Sequence, residues 1–322
     1  MNELRASQTL SCDVSKMALL SHIPNWAAVG NCMDKATELG IVRRAYAKQV
    51  LAAGHVDDPR VEAAFAAVPR EDFLGPGPWL MPRWRFGLVP TPTSDPTYLY
   101  VDSVVSIVAE RNLNNGQPSA HALWITAAGP KEGDHLVHVG TGTGYYTAIL
   151  ALLVGGSGRV TGIEFDPSLA ARAQSNLSSF PNVRVVQGDG ALASFDPANV
   201  IYVCAGATRP VNVWLDGLAE GGRLVVPLTT DKAFPRSGFP GALEKHGAMF
   251  RFERHTPDFT ASWISPAAFI PCESARDEHS EAALAQALAN GGWEKVTRLY
   301  RSEVVPQERC WLRAPGWCLA YS

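Results

Sequence analysis

The sequence has no block of like charge, no long apolar run and no regular cysteine pattern. Its 28 Lys and Arg stand against 31 Asp and Glu, a formal charge of −3, and no stretch is basic enough to follow a phosphate backbone. Nucleic acid is therefore not an expected partner. No apolar stretch approaches the roughly 20 residues of a membrane-spanning helix, so no membrane partner is expected either. The opening MNELRASQTLSC does not read as a secretory leader, because the apolar run Met17–Leu20 is too short. Six cysteines (Cys12, Cys32, Cys204, Cys272, Cys310, Cys318) form no C-x-x-C and share no spacing. Free thiols in a reducing cytoplasm are the expectation. No metal is expected, a zinc set drawn from Cys272, Cys310, Cys318 and His255 being the weaker reading. There is no internal repeat and no low-complexity tract. At 322 residues and 46% hydrophobic, the chain can bury one large core and a smaller satellite unit.

What is present centres on His135–Leu150, HLVHVGTGTGYYTAIL. Short apolar residues lead into Gly140, Gly142 and Gly144, and a small-and-aliphatic run follows. The pattern predicts a buried parallel strand, a tight glycine turn and a helix from near Tyr145. Twenty residues beyond Gly144, a second strand ends in Glu164, where a doubly wound sheet holds ribose hydroxyls. A third strand, Val183–Val186, ends in Gly188-Asp189-Gly190, where a carboxylate can accept from an adenine amino group. Val200–Cys204 and Arg223–Leu228 add two strands around a helical piece, Val211–Leu218. The spacing G-x-G-x-G is not the dinucleotide fingerprint G-x-G-x-x-G, which counts against a dehydrogenase. The layout is that of an S-adenosyl-L-methionine-dependent methyltransferase: a doubly wound, Rossmann-like class I α/β sheet. Gly140, Thr141, Gly142, Thr143, Gly144, Tyr145, Glu164, Phe165, Asp189 and Gly190 are the expected cofactor-binding residues.

Around this core, residues 1–40 read as an N-terminal extension, 41–230 as the cofactor-binding domain with an N-terminal helical segment, and 231–322 as an α+β addition. The helix from Val42 stops at Gly54, and Asp58-Pro59 caps and starts a second one. Gly75–Pro96, rich in Gly, Pro and Trp, reads as a long irregular loop whose Trp79, Trp84 and Phe86 wedge against the core. In the tail, strands are expected at Gly247–Arg254, Ala261–Pro271, Trp293–Tyr300 and Cys310–Tyr321, with a helix at Ser280–Asn290. Trp263, Trp293, Trp311 and Trp317 are expected in its core. Pro235–Gly241 reads as a mobile link.

Several segments together resemble the protein-L-isoaspartate O-methyltransferases. Arg43–Leu74, with its Val68-Pro-Arg…Phe73 ending, is similar to that family's N-terminal helix pair. Asn114-Asn115-Gly116-Gln117-Pro118 falls where the family has Thr-Ile-Ser-Gln-Pro. The glycine loop, Gly188-Asp-Gly, Cys204-Ala-Gly-Ala and Gly221-Gly-Arg-Leu-Val-Val-Pro follow in the family's order. The resemblance spans about residues 40–230 and implies the fold, the cofactor and an acceptor side at Asn114, Asn115, Gly116, Gln117 and His121. Two departures stand out. The family's active-site serine falls on Gly116, and the acid before the glycine loop is His138. The expectation is a carboxyl O-methyltransferase acting on a peptide or small-molecule carboxylate. True isoaspartate repair, or cofactor binding without catalysis, are the alternatives.

A carboxylate acceptor suits this residue set. With an ordinary pKa of about 4 it is ionised at neutral pH and needs no general base, so the protein has only to align the reactants and exclude water. An amine or phenol would make a base useful, and His121 is the nearest candidate. The amides of Asn114, Asn115 and Gln117 can hold a carboxylate or peptide backbone. The addition after Leu228 is expected to fold over the crevice and shape the acceptor pocket.

Overall fold

The computed structural model describes residues 34–83, 85–231, 243–301 and 305–321. Most of the N-terminal extension, Trp84 and the link Pro235–Gly241 lie outside the described residues. Helices α1 (Lys35–Ala53) and α2 (Pro59–Ala67) open the chain. Asp58 caps α2 by accepting from the N–H groups of Arg60 and Val61 at 2.9 and 3.4 Å, and Pro59 takes the first helical position, where no N–H is missed. A short α3 (Glu71–Leu74) follows. The stretch expected to be irregular instead holds an antiparallel hairpin, β1 (Leu80–Arg83) and β2 (Gly87–Pro90). Both strands carry proline, which an isolated two-stranded edge tolerates because few N–H groups are needed. Trp79 is buried and donates to the Gly75 carbonyl. Phe86, expected as a core wedge, is 78% exposed at the hairpin's tip. The ribbon β3 (Ser106–Val108) and β4 (Leu113–Asn114) then leads into α4 (Pro118–Ala128).

Next come β5 (His135–Val139), α5 (Tyr145–Val154), β6 (Arg159–Glu164), α6 (Pro167–Asn176), β7 (Val183–Gln187), β8 (Ala198–Val203), α7 (Asn212–Asp216) and β9 (Leu218–Thr229). These five strands are parallel and lie in the order β9-β8-β5-β6-β7. The order reverses at β5. A crevice therefore opens at its carboxyl end, between loops that leave in opposite directions.

The sheet does not stop at β9. β10 (Gly247–His255) pairs antiparallel with it from Gly247↔Thr229 to Glu253↔Arg223. β11 (Asp258–Pro266), β12 (Arg298–Arg301), β14 (Trp317–Ala320) and β13 (Cys310–Ala314) extend the same sheet to ten strands, and α8 (Glu278–Asn290) packs on this half. The expected strand at Trp293–Tyr300 forms only from Arg298; Trp293–Lys295 is a tight helical turn entered through Gly292 at φ +85°. Trp311 and Trp317 are buried, whereas Trp263 and Trp293 are partly so.

Alternation sets the two faces. Ile201 and Val203 of β8, with Phe250 and Phe252 of β10, face Trp214, Leu284 and Trp311. Val200, Tyr202 and Met249 face Tyr46, Phe65, Ile125 and Leu150. Each buried face thus joins parallel and antiparallel strands.

Between β11 and α8, Ala267–Asp277 runs as a strap over the carboxyl end of β8. The Gly206 N–H donates to Ile270 at 2.8 Å, Cys272 N–H to Gly206 at 2.9 Å and Thr208 N–H to Ala275 at 3.0 Å. The Arg276 guanidinium fastens its end, donating to the carbonyls of Gly206 and Thr229 and pairing with Asp231 and Glu281.

Candidate active site

The glycine loop turns directly out of β5. The Gly142 N–H donates to Glu164 Oε2 at 2.7 Å, and the other carboxylate oxygen accepts from Asp166 N–H at 3.0 Å. The carboxyl end of β6 and the loop are therefore tied together. Burial raises the Glu164 pKa, with the Asp166 and Gly142 N–H groups pulling against it. Gly142 sits at φ +58° with no atom within 4 Å of where a Cβ would stand, so its bare face looks into open space. At the end of β7, Asp189 caps its own turn by accepting from Ala191 N–H at 2.8 Å, and it also accepts from the Ser274 hydroxyl of the strap. Two large apolar side chains are exposed here, Phe165 beside Glu164 and Leu192 beside the Asp189 turn.

A cavity of about 450 Å³ opens on the loop and continues to the Asn114–Gln117 turn. It brings together Gly140, Thr141, Gly142, Thr143 and Tyr145 on one side and Asn114, Asn115, Gly116, Gln117 and His121 on the other. Glu164, Phe165, Asp189 and Gly190 lie outside this lining, at the strand ends beyond it. Gly144 packs on Leu177, and Gly190 on Val139. The Tyr145 ring is buried in an aromatic group with Phe65 and Phe73, over which the Arg70 guanidinium lies 5.8 Å from the Tyr145 centroid.

Much of the acceptor-side turn holds itself. Asn114 Oδ1 accepts from Gly116 N–H at 2.9 Å, and Asn115 Oδ1 from Val105 N–H at 2.7 Å. Gln117 donates to Asp102, which also accepts from Ser119 N–H. The Asn115 amide nitrogen is buried and has no partner among the described residues. Gly116 adopts φ +77°, and a Cβ there would lie 2.2 Å from His121 Nε2. His121 cannot easily yield: its ring stacks on Tyr146 at 3.5 Å and its Nδ1 shares a hydrogen bond with the Tyr202 hydroxyl at 2.9 Å. Burial, with His138 nearby, lowers its pKa well below the ordinary imidazole range. His138 is fully enclosed, hydrogen-bonded to Thr147 at 2.8 Å and facing Cys204 Sγ at 3.3 Å. Burial pushes its pKa down to about 3. Both imidazoles are neutral at pH 7. Among the described residues no group of three or more His, Cys, Asp or Glu is placed to hold a metal, and no helix is long and apolar enough to cross a membrane.

The family model for protein-L-isoaspartate(D-aspartate) O-methyltransferase matches residues 43–236. The chain belongs to that family. Curated protein-L-isoaspartate O-methyltransferases resemble this methyltransferase over much of its length. The Methanococcus aeolicus protein is 33% identical over 192 residues, 57% of this chain and 78% of that one. The Ralstonia nicotianae protein is 33% identical over 245 residues, 74% and 70% of the two chains. A solved protein-L-isoaspartate O-methyltransferase superposes with a TM-score of 0.58 at 26% identity, covering 72% of this chain and 66% of its own.

The methyltransferase has the class I fold, and its cofactor is S-adenosyl-L-methionine. The residues present fit that molecule: an open-faced glycine, a carboxylate at the end of β6, and exposed apolar side chains at two adjacent strand ends. Sequence reasoning did not find Leu88, Ile107, Phe269 and Ile270, which also line the cavity, nor Ser274 on Asp189. They come from a hairpin, a ribbon and a strap, and none of them sits in a motif.

Proposed function

We propose that the enzyme esterifies a carboxylate of a peptide or small molecule, with Glu164 on the cofactor's ribose and Asp189 and Gly190 at its adenine. Phe165 and Leu192 flank the base, and Gly140–Tyr145 face the methionine end. Asn114, Asn115 and Gln117 meet the acceptor. The observation that carries this reading is the single cavity shared by the glycine loop and the Asn114–Gln117 turn.

Bound S-adenosylmethionine supplies a sulfonium methyl open to in-line displacement. The chain's own part is to align a carboxylate with it and keep water out. His121 is too depressed in pKa and too committed to Tyr202 and Tyr146 to serve as a base. That favours an acceptor already ionised over an amine or phenol. Isoaspartate repair stands second: the relatives bear that name, but position 116 offers no hydroxyl, and the space beside it belongs to His121. A reducing cytoplasm is the compartment in which the described thiols would stay free, Cys310 Sγ and Cys318 Sγ lying 2.8 Å apart on neighbouring strands.

Incubation with methyl-labelled S-adenosylmethionine and a panel of isoaspartyl peptides, aspartyl peptides and small carboxylic acids tests the reading. The expected product gains one methyl and loses it in mild base. A base-stable methyl on nitrogen or a phenol would overturn it.

A further inference from the structure

The acceptor side of the cavity is walled by Leu88 of β2, Ile107 of β3, Leu113 of β4, Trp124 of α4, and Phe269 and Ile270 of the strap. Trp124 is held in place, its Nε1 donating to Ser265 Oγ at 2.8 Å and its ring 5.2 Å from that of Phe269. Among the described residues lining the whole cavity there is no Asp, Glu, Lys or Arg. The two histidines in the lining are neutral, as burial requires. A charged side group on the acceptor's body would lose its water and meet no opposite charge on these walls, whereas an apolar group would exchange water for aliphatic and aromatic carbon. Apart from the cofactor's own methionine end, the reacting carboxylate is the one charge that must be admitted. Asn115, whose buried Nδ2 has no partner among the described residues, is one of the amides in this lining.

Resting on the carboxyl-methylation reading, we infer that the acceptor carries its carboxylate on an apolar, uncharged body, an aliphatic or aromatic group adjoining the reacting carboxyl. A peptide supplies that chemistry through Leu or Phe neighbours, and a small arylalkanoic acid supplies it directly.

Three probes separate these cases: a blocked isoaspartyl hexapeptide flanked by Leu and Phe, the same peptide flanked by Lys and Glu, and 3-phenylpropionate. Binding to the full chain is measured by calorimetry with S-adenosylhomocysteine present, and esterification by base-labile methyl release. The Leu/Phe peptide should bind at least about tenfold more tightly than the Lys/Glu peptide. Phenylpropionate binding as tightly as the apolar peptide assigns the small-molecule source; weak phenylpropionate binding beside a tight apolar peptide assigns the peptide. Equal or tighter binding of the Lys/Glu peptide, or no binding of either apolar probe, overturns the inference. Leu88 is 44% exposed at the rim, so Leu88→Lys should fold and should shrink or reverse the preference; an unchanged preference counts against the inference. If the binding order is as expected but no base-labile methyl appears, the apolar acceptor stands and the carboxyl-methylation reading falls. Esters formed equally well on both peptides would have the opposite meaning.

Discussion

A side chain at position 116 would collide with His121. Gly116→Ser must adopt φ +77° and place its Cβ 2.2 Å from a ring already clamped between Tyr146 and Tyr202. The expected cost is roughly 1–3 kcal/mol from backbone strain and overpacking, read as a lower denaturant midpoint, with no gain in isoaspartyl turnover. A stable variant with repair activity would show that the glycine is not structurally required. Glu164→Ala should weaken S-adenosylmethionine binding by about 1.5–3 kcal/mol, the scale of a hydrogen bond to a charged group, and unchanged affinity by calorimetry would remove Glu164 from the cofactor site. The histidines give a pH signature. Folding depresses the pKa of His138 from its ordinary 6.5 to about 3. In that window the unfolded chain binds the extra proton, so stability is full above pH 6.5 and falls as the pH drops toward 3. Between pH 7 and pH 5 the loss should be roughly 1–2 kcal/mol from this residue, with His121 acting in the same direction. Denaturant unfolding at the two pH values checks this, and His138→Gln should flatten the slope.

At the scale of elements, the strap joins the two halves of the site, since Phe269 and Ile270 line the cavity while Ser274 reaches Asp189. Arg276→Ala removes its fastening to Gly206, Thr229, Asp231 and Glu281. The expected outcome is a severalfold rise in acceptor KM with cofactor Kd changed less than about twofold, because the glycine loop and Glu164 do not depend on that guanidinium. An equal loss in both would assign the strap to stability alone. The strap also marks what the sequence could not show. The five parallel strands were legible because buried strands such as β5 and β8 carry short, mostly apolar runs (Leu136, Val137 and Val139; Val200–Val203) bounded by Gly, Asp or Pro. The α2 start was legible from Asp58-Pro59. The β1–β2 hairpin was not: Pro82 and Pro90 argue against a strand, and only an edge pair without a ladder on its far side admits them. Nor was Trp293–Lys295, whose turn depends on Gly292 at φ +85°. The glycine loop and Glu164 could be placed near each other by β-α-β geometry. Leu88, Phe269 and Ser274 reach the same cleft across long stretches of chain, and no local pattern encodes that meeting.

For the molecule as a whole, the parallel and antiparallel halves share one sheet and both of its buried faces. Residues 39–321 should therefore unfold in a single transition, with tryptophan fluorescence and far-ultraviolet circular dichroism coinciding. A chain ending at Asp231 should be insoluble, because it uncovers β9 along its pairing with β10 and strips Phe250 and Phe252 from the core. Recovery of a soluble, cooperatively folding truncate with native cofactor affinity would contradict this. The pairing of β9 with β10 also carries a demand in time. Twenty-six residues separate the end of β9 at Thr229 from the end of β10 at His255. At about 5–20 residues per second of synthesis, the edge of β9 waits roughly 1–5 s for its neighbour. Slow codons anywhere in that interval lengthen the wait, and a chaperone that shields nascent strands shortens the exposure, so the yield of active enzyme should respond to the pace of the ribosome through this one stretch.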